Sequence, residues 1–422
     1  MGKGYLLKVS APYRDLLTHV KHIRPKLMKD QLFQKLQNFR GALNASSLER
    51  EHVIDGLLSS LLSKQNAFLL GVPGTGKSDL VRSVCAGITG SNYFGYLLTP
   101  TTDPSEVFGP VAVTKLLNDE YSRDVDGYLP TAHIGFLDEL FRGSSAILNS
   151  LLTLLNERTF NNGKENIQTP IQSIIAATNS WPEEESLQAF ADRFLFRPTV
   201  DLLRKPVSKR RLDQWGLGLT KRPDVGQHLT LEDLSELQAE ASTVKVSEDF
   251  LDKFNSVWEM LQTRAITISD RRRIQILKFL KAWAIVQGDD ELYAEHMHGS
   301  LIHIVYQTAE DQNVIREVLE QEIPTADKVF SDAKRAAAGI MAEYSSHSHR
   351  YKSKGLSELN EFVVLLRKYA KDMTTVRDKV SELLDGSKLR MSANTRAAGV
   401  KLQQNLQNHC DTLARAISDI SK

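Results

Sequence analysis

Between residues 48 and 200 the apolar positions of this chain switch between a spacing of three to four residues and short unbroken runs. The first pattern is that of a helix with one buried face, and the second that of a strand buried on both faces. Val53, Ile54, Leu57 and Leu61 predict a helix, Ala67 to Leu70 a strand, and the stretch from Asp79 to about Ala86 a second helix. Further strands are expected near Tyr93 to Leu98, at Ile134 to Leu137 and at Ser173 to Ala177, with a helix over Ala146 to Asn156. Such alternation predicts an α/β fold, a parallel sheet with helices on both faces.

On either side the pattern is helical. From Met1 to about Leu43 a helix is expected with Leu32, Leu36 and Phe39 on one face, and Gly41 to Ser47 read as a linker. After Val200, Arg204-Lys205-Pro206 and Ser208-Lys209-Arg210-Arg211 form a basic, proline-interrupted connector, which reads as a boundary. Helical spacing resumes at Leu229 and runs with breaks to Glu322. From about Thr325 a stripe through Leu356, Leu359, Phe362, Leu366, Tyr369, Met373, Val376, Val380 and Leu383 is followed by Gly386 as a helix stop. A second stripe through Leu402, Leu406, Leu413, Ile417 and Ile420 completes a helical hairpin or small bundle. The expected domains are a helical segment at 1–47, an α/β core at 48–203, a helical domain at 204–322 and an all-helical extension at 323–422.

The strand at Ala67 runs straight into Gly71-Val72-Pro73-Gly74-Thr75-Gly76-Lys77-Ser78, with Asp79 opening the helix. Glycines here leave no side chain in the way, so backbone N–H groups turn inward on a polyphosphate at the helix N-terminus. Lys77 is expected to reach the β- and γ-phosphates and the Ser78 hydroxyl to ligate Mg²⁺. A later strand ends in Asp138-Glu139, at the edge where ligands of an open parallel sheet bind. Asp138 is expected to hold the Mg²⁺ shell with Ser78, and Glu139 to polarise the attacking water. Another strand ends at Asn179, an amide placed to touch the γ-phosphate or the water, the role called sensor 1. Arg193 and Arg197 follow, each readable as a surface charge or as a finger that neutralises γ-phosphate charge from a neighbouring subunit.

Charge narrows the partners. Lys+Arg number 53 against 52 Asp+Glu, a net charge of +1 over 422 residues, so no global field recruits nucleic acid or an anionic membrane. Two cysteines, Cys85 and Cys410, offer no disulfide framework and no four-ligand zinc site, which suits a reducing compartment. The first twenty residues lack a signal-peptide hydrophobic region and no stretch approaches eighteen apolar residues; the expectation is a cytoplasmic protein without membrane insertion. His296, His298 and His303 do not share the spacing of a metal site on one helix face, and the four tryptophans read as packing residues.

Together these stretches resemble the MoxR branch of the AAA+ ATPases, most closely the subgroup containing regulatory ATPase variant A. Phe68 to Ser78, Ser105-Glu106-Val107-Phe108-Gly109-Pro110, Gly127-Tyr128-Leu129-Pro130, Phe136 to Glu139 and Ala146 to Arg158 carry the resemblance, which runs from about Leu48 to Glu320. It implies an ATP- and Mg²⁺-dependent homo-hexamer, with 204–322 as the helical lid. By the same resemblance Asn179 is sensor 1, Arg193 the arginine finger, and Arg271, beside Arg272 and Arg273, the sensor-2 arginine of the lid. It also implies that the insert between Phe108 and Leu129 and the hairpin signalled by Asn162-Gly163 face the ring channel. Remodelling of a protein partner, one with a von Willebrand factor A domain, is the implied output. Rival readings are a nucleic-acid motor of the MCM or McrB type, disfavoured by the neutral charge, and a nucleotide-gated scaffold. The subgroup's part-β extension has no counterpart in the helical pattern of 325–422.

Overall fold

A computed structural model of the chain describes residues 30–182, 184–306, 309–323, 325–351, 356–385 and 393–420. The expected helix upstream of residue 30 and the helix stop at Gly386 lie outside the described residues. The chain forms two compact units, one of residues up to Phe250 with 265–292 and 296–312, the other of 251–264, 293–295 and 313 onward.

The first unit opens with a helix over residues 30–46 (α1). It continues through the expected linker because Leu43 extends the buried stripe of Leu32, Leu36 and Phe39 by another turn. There follow α2 (Glu51–Leu62), β1 (Ala67–Leu70), α3 (Lys77–Ala86), β2 (Ile88–Thr89), β3 (Tyr93–Leu97), α4 (Pro104–Phe108) and α5 (Val113–Leu116). Next are β4 (Ile134–Asp138), α6 (Ser145–Glu157), β5 (Thr159–Asn162), β6 (Glu165–Gln168), β7 (Ser173–Thr178), α7 (Glu185–Ala191) and α8 (Pro206–Gly216). The chain goes on through β8 (Leu229–Thr230), α9 (Leu231–Thr243), β9 (Lys245–Val246), α10 (Phe250–Thr263), α11 (Asp270–Gln287), β10 (Glu291–Leu292), α12 (His296–Ser300) and α13 (Ala309–Glu322). Of the helices in 204–322, α9 and α11 fall in the first unit, while α13 and all of α10 after its first residue fall largely in the second.

The central sheet is parallel, in the order β1-β7-β4-β3. Residues 196–199 lie along the free side of β1, where Ala67 pairs with Phe196 and Leu70 with Thr199, an edge the sequence pattern does not reveal. Phe68, Leu137, Ile174 and Ala176 enter one core with Ile147, Leu151 and Leu154 of α6. Their alternate neighbours Leu69, Phe136 and Ile175 are buried as well, so both faces are covered, as a parallel sheet requires. Gly56 lets α2 close onto the edge segment: a Cβ there would fall 1.9 Å from the Phe196 ring.

The connector and the hairpin fare differently against the sequence pattern. The basic connector is helical over α8, because Pro206 at its first turn presets φ and gives up an N–H that has no helical partner anyway. The hairpin β5–β6, by contrast, is where the Asn-Gly signal puts it, with Asn162 paired to Glu165 and Gly163 at φ +69°. In the second unit α14 (Ala326–Tyr351), α15 (Leu356–Asp385) and α16 (Ala393–Ile420) share a core of Phe330, Leu366, Tyr369, Met373, Val380, Leu406 and Leu413. A Cβ on Gly399 would sit 2.5 Å from the Phe330 ring, so glycine sets the close approach of α16. Among the described residues no helix is long and apolar enough to cross a membrane.

Candidate functional site

Because the strands are parallel, Gly71 and Asn179, which follow β1 and β7, and Asp138, the last residue of β4, lie on one edge of the sheet. Gly71 donates its N–H to the Thr178 carbonyl (3.1 Å), and a Cβ there would lie 2.3 Å from the Val200 carbonyl oxygen. Gly74 and Gly76 both take φ +79°, a conformation glycine adopts without steric cost. The loop therefore arches over the N-terminus of α3, whose leading amides have no partner in a preceding turn.

Lys77 is buried, its Nζ donating to the Gly71 carbonyl at 2.5 Å and the Val72 carbonyl at 3.2 Å. Burial pushes its pKa below the ordinary value, while the nearby carboxylates of Asp138 and Glu139 act the other way. Ser78 and Asp79 form the rest of the first turn of α3, and Asp79 pairs with Arg222 at 2.6 Å. Glu139 stands in the left-handed region at φ 52°, ψ 44°, a strained conformation for a side chain with a Cβ. Its N–H donates to Asp138 Oδ1 (3.1 Å), its Oε1 accepts from Asn179 Nδ2, and Arg142 lies 3.6 Å from its other oxygen. A cleft of about 680 Å³ is lined on this edge by Gly71, Val72, Asn179, Ser180, Asp201 and Lys209, among others. The open glycine cradle, the buried ammonium and the adjacent carboxylates fit a polyphosphate with a divalent cation.

The arginines do not join this group. Asn66, which precedes β1, donates through Nδ2 to the carbonyls of Leu155 and Arg193, so Arg193 lies off the N-terminal edge of the sheet, across from the P-loop. Its Nη1 donates to the Ala189 carbonyl at 2.6 Å. Arg271 is exposed and donates to Asn156 Oδ1 (3.1 Å) at the end of α6, on that same far edge; it does not face the loop of its own chain. Arg197 is neither a surface charge nor a finger. It is 1% exposed, donates to the Ile304 and Tyr306 carbonyls and to Asp192, and packs against the neighbouring rings of Trp181 and Tyr306. Arg272 joins this knot through Asp192, Leu195 and Ile304, and burial followed by the charge of Arg197 brings its pKa down to about 9.

A family model described as the MoxR domain in the MoxR-vWA-beta-propeller ternary systems matches residues 34–239, and one described as an AAA lid domain matches 249–319. The uncharacterized protein MJ0079 of Methanocaldococcus jannaschii is 35% identical over 290 residues, 68% of this chain and 74% of the relative. The chain belongs to the MoxR family of AAA+ ATPases. Chaperone MoxR1 of Mycobacterium tuberculosis is a more distant MoxR relative, 26% identical over 57% of this chain and 66% of its own length. A solved structure from Cytophaga hutchinsonii, provisionally assigned as an ATPase, superposes with a TM-score of 0.57 at 17% identity, over 71% of this chain and 98% of that one; it shares the fold.

Two residues of this MoxR chain escape sequence reasoning. Glu49 and Arg50, just before α2, touch the loop after β1 and the linker before α8. They carry no motif, and only a left-handed backbone at Glu49 (φ 56°) marks the place.

Proposed function

We propose that this chain hydrolyses ATP with Mg²⁺ as a homo-hexameric ring and uses the cycle to remodel or activate a protein partner. The gathering of Lys77, Asp138, Glu139 and Asn179 on one sheet edge carries the reading. Gly71 to Asp79 would hold the triphosphate, with Lys77 on its outer phosphates; Ser78 and Asp138 would hold Mg²⁺, which supplies charge neutralisation. Glu139, oriented by Asn179, would take the proton of the attacking water. Arg193 and Arg271 stand across the sheet from this cluster, so their proposed role is to complete the site of the next copy. The sensor-2 role proposed for Arg271 is thus exercised on the nucleotide of the next copy.

The name of the matching family model favours a partner with a von Willebrand factor A domain, and the chaperone relative favours a remodelling output. The motif stretches favour the regulatory ATPase variant A subgroup, and the proposed domains are a core at 48–203, a lid at 204–322 and a helical extension at 323–422 in place of a part-β one. A cytoplasmic location and ATP rather than another nucleoside triphosphate belong to the same proposal. In phosphate-release assays Glu139→Gln should lose about 10²- to 10⁴-fold in turnover while still binding ATP and accumulating as an assembled ring. Turnover at the parental rate would remove Glu139 from the chemistry.

A further inference from the structure

The helix α8 has no buried residue, yet both of its ends are tied to the P-loop segment. At its start the Glu49 carboxylate accepts from the backbone N–H groups of Arg204 and Lys205, both at 2.9 Å. The next residue, Arg50, is 8% exposed, and its guanidinium donates to the Thr75 carbonyl in the P-loop (3.3 Å) and to the Asp201 carbonyl in the linker (2.6 Å). Beyond its end, Arg222 lies over the Trp215 ring at 6.0 Å and pairs with Asp79 of α3. Between these ties Lys209 lines the cleft that also contains Gly71, Val72 and Asn179.

We propose that Glu49 and Arg50 clamp the linker to the P-loop, making α8 a strap across the nucleotide site, with Lys209 as a further cation for the bound nucleotide. This rests on the nucleotide reading above. Lys209 is the binding residue; Glu49 and Arg50 are positioning residues that act through it. The arrangement gives a bound polyanion a route to the segment leading into α9, because any shift of Thr75 pulls on Arg50 and Asp201 together. A cation on a helix without buried residues contributes to affinity chiefly when the ties that hold the helix are fixed.

The test uses the full chain and a fluorescent ATP analogue. Lys209→Ala should weaken binding by about 5- to 20-fold, of the order of one charge-assisted contact, and Lys209→Arg should restore most of it. Glu49→Gln should weaken binding to a similar degree, and combining it with Lys209→Ala should add little, since both act on one contact. ATP should slow amide exchange over residues 201–216 in the parent and much less in Glu49→Gln, a readout that loss of stability alone does not move. Both exposed-site variants binding within twofold of the parent, while Lys77→Ala loses binding, would overturn the strap and leave the nucleotide site standing. If Lys77→Ala also binds as the parent does, the nucleotide reading itself falls.

Discussion

Glu49 shows how far one carboxylate can be committed to backbone. Hydrogen bonds from the Arg204 N–H foremost, then from Ser208 and Lys205, hold its pKa at about 2 against an ordinary 4.5. A carboxyl with a depressed pKa contributes fully above its unfolded value and loses that contribution as pH falls through the folded one. The tie to α8 should therefore be intact at all pH above about 4.5 and be released towards pH 2. The amide shifts of Arg204 and Lys205 in an NMR titration should follow that window, and in Glu49→Gln they should not respond to it.

At the scale of elements, the buried arginine pair joins the sheet edge at 196–199 to the segment after α12. Removing Arg197 leaves the Tyr306 carbonyl without its guanidinium donor and the Ile304 carbonyl with Arg272 alone, and unmade buried hydrogen bonds of this kind cost about 1–3 kcal/mol each. Arg197→Met should lower the unfolding free energy measured by urea titration by a few kcal/mol without a change in oligomer contacts. The insert and the hairpin form a second joint. Arg123 N donates to Asn162 Oδ1 (2.6 Å), Asn162 Nδ2 returns a bond to the Arg123 carbonyl (3.0 Å), and a Cβ on Gly163 would fall 1.8 Å from the Tyr121 carbonyl oxygen. Gly163→Ala should part the two loops, seen as faster proteolysis between Val113 and Arg123. The P-loop, Asp138-Glu139, the parallel strands and the hairpin turn were legible in the sequence because each is written in adjacent residues: glycines before Lys77, apolar runs ending in carboxylates, Asn-Gly. The edge at 196–199, the burial of Arg197 and the Glu49–Arg50 clamp were not, since each depends on partners about 25 to 155 residues away, beyond any local pattern.

At the scale of the molecule, the proposed function, with its candidate catalytic carboxylates and candidate finger on opposite edges of one sheet, predicts a chain that turns over ATP only beside another copy. Arg193→Ala alone should lose about 10³-fold or more in turnover, and Glu139→Gln the loss given above. Mixing the two variants should recover part of the parental rate, because some junctions then pair an intact Glu139 with an intact Arg193. Failure of the mixture to exceed either variant, with assembly verified by light scattering, would assign Arg193 to its own chain or to structure.

The mutual bonds between Asn162 and Arg123 constrain how this protein can be re-engineered. Transplanting the 159–168 turn alone into a related scaffold would strand an amide that has lost its mate, and transplanting only the stretch around Arg123 would do the same in reverse. Chimaeras that exchange both as a single cassette should fold, whereas single exchanges should yield insoluble or clipped material.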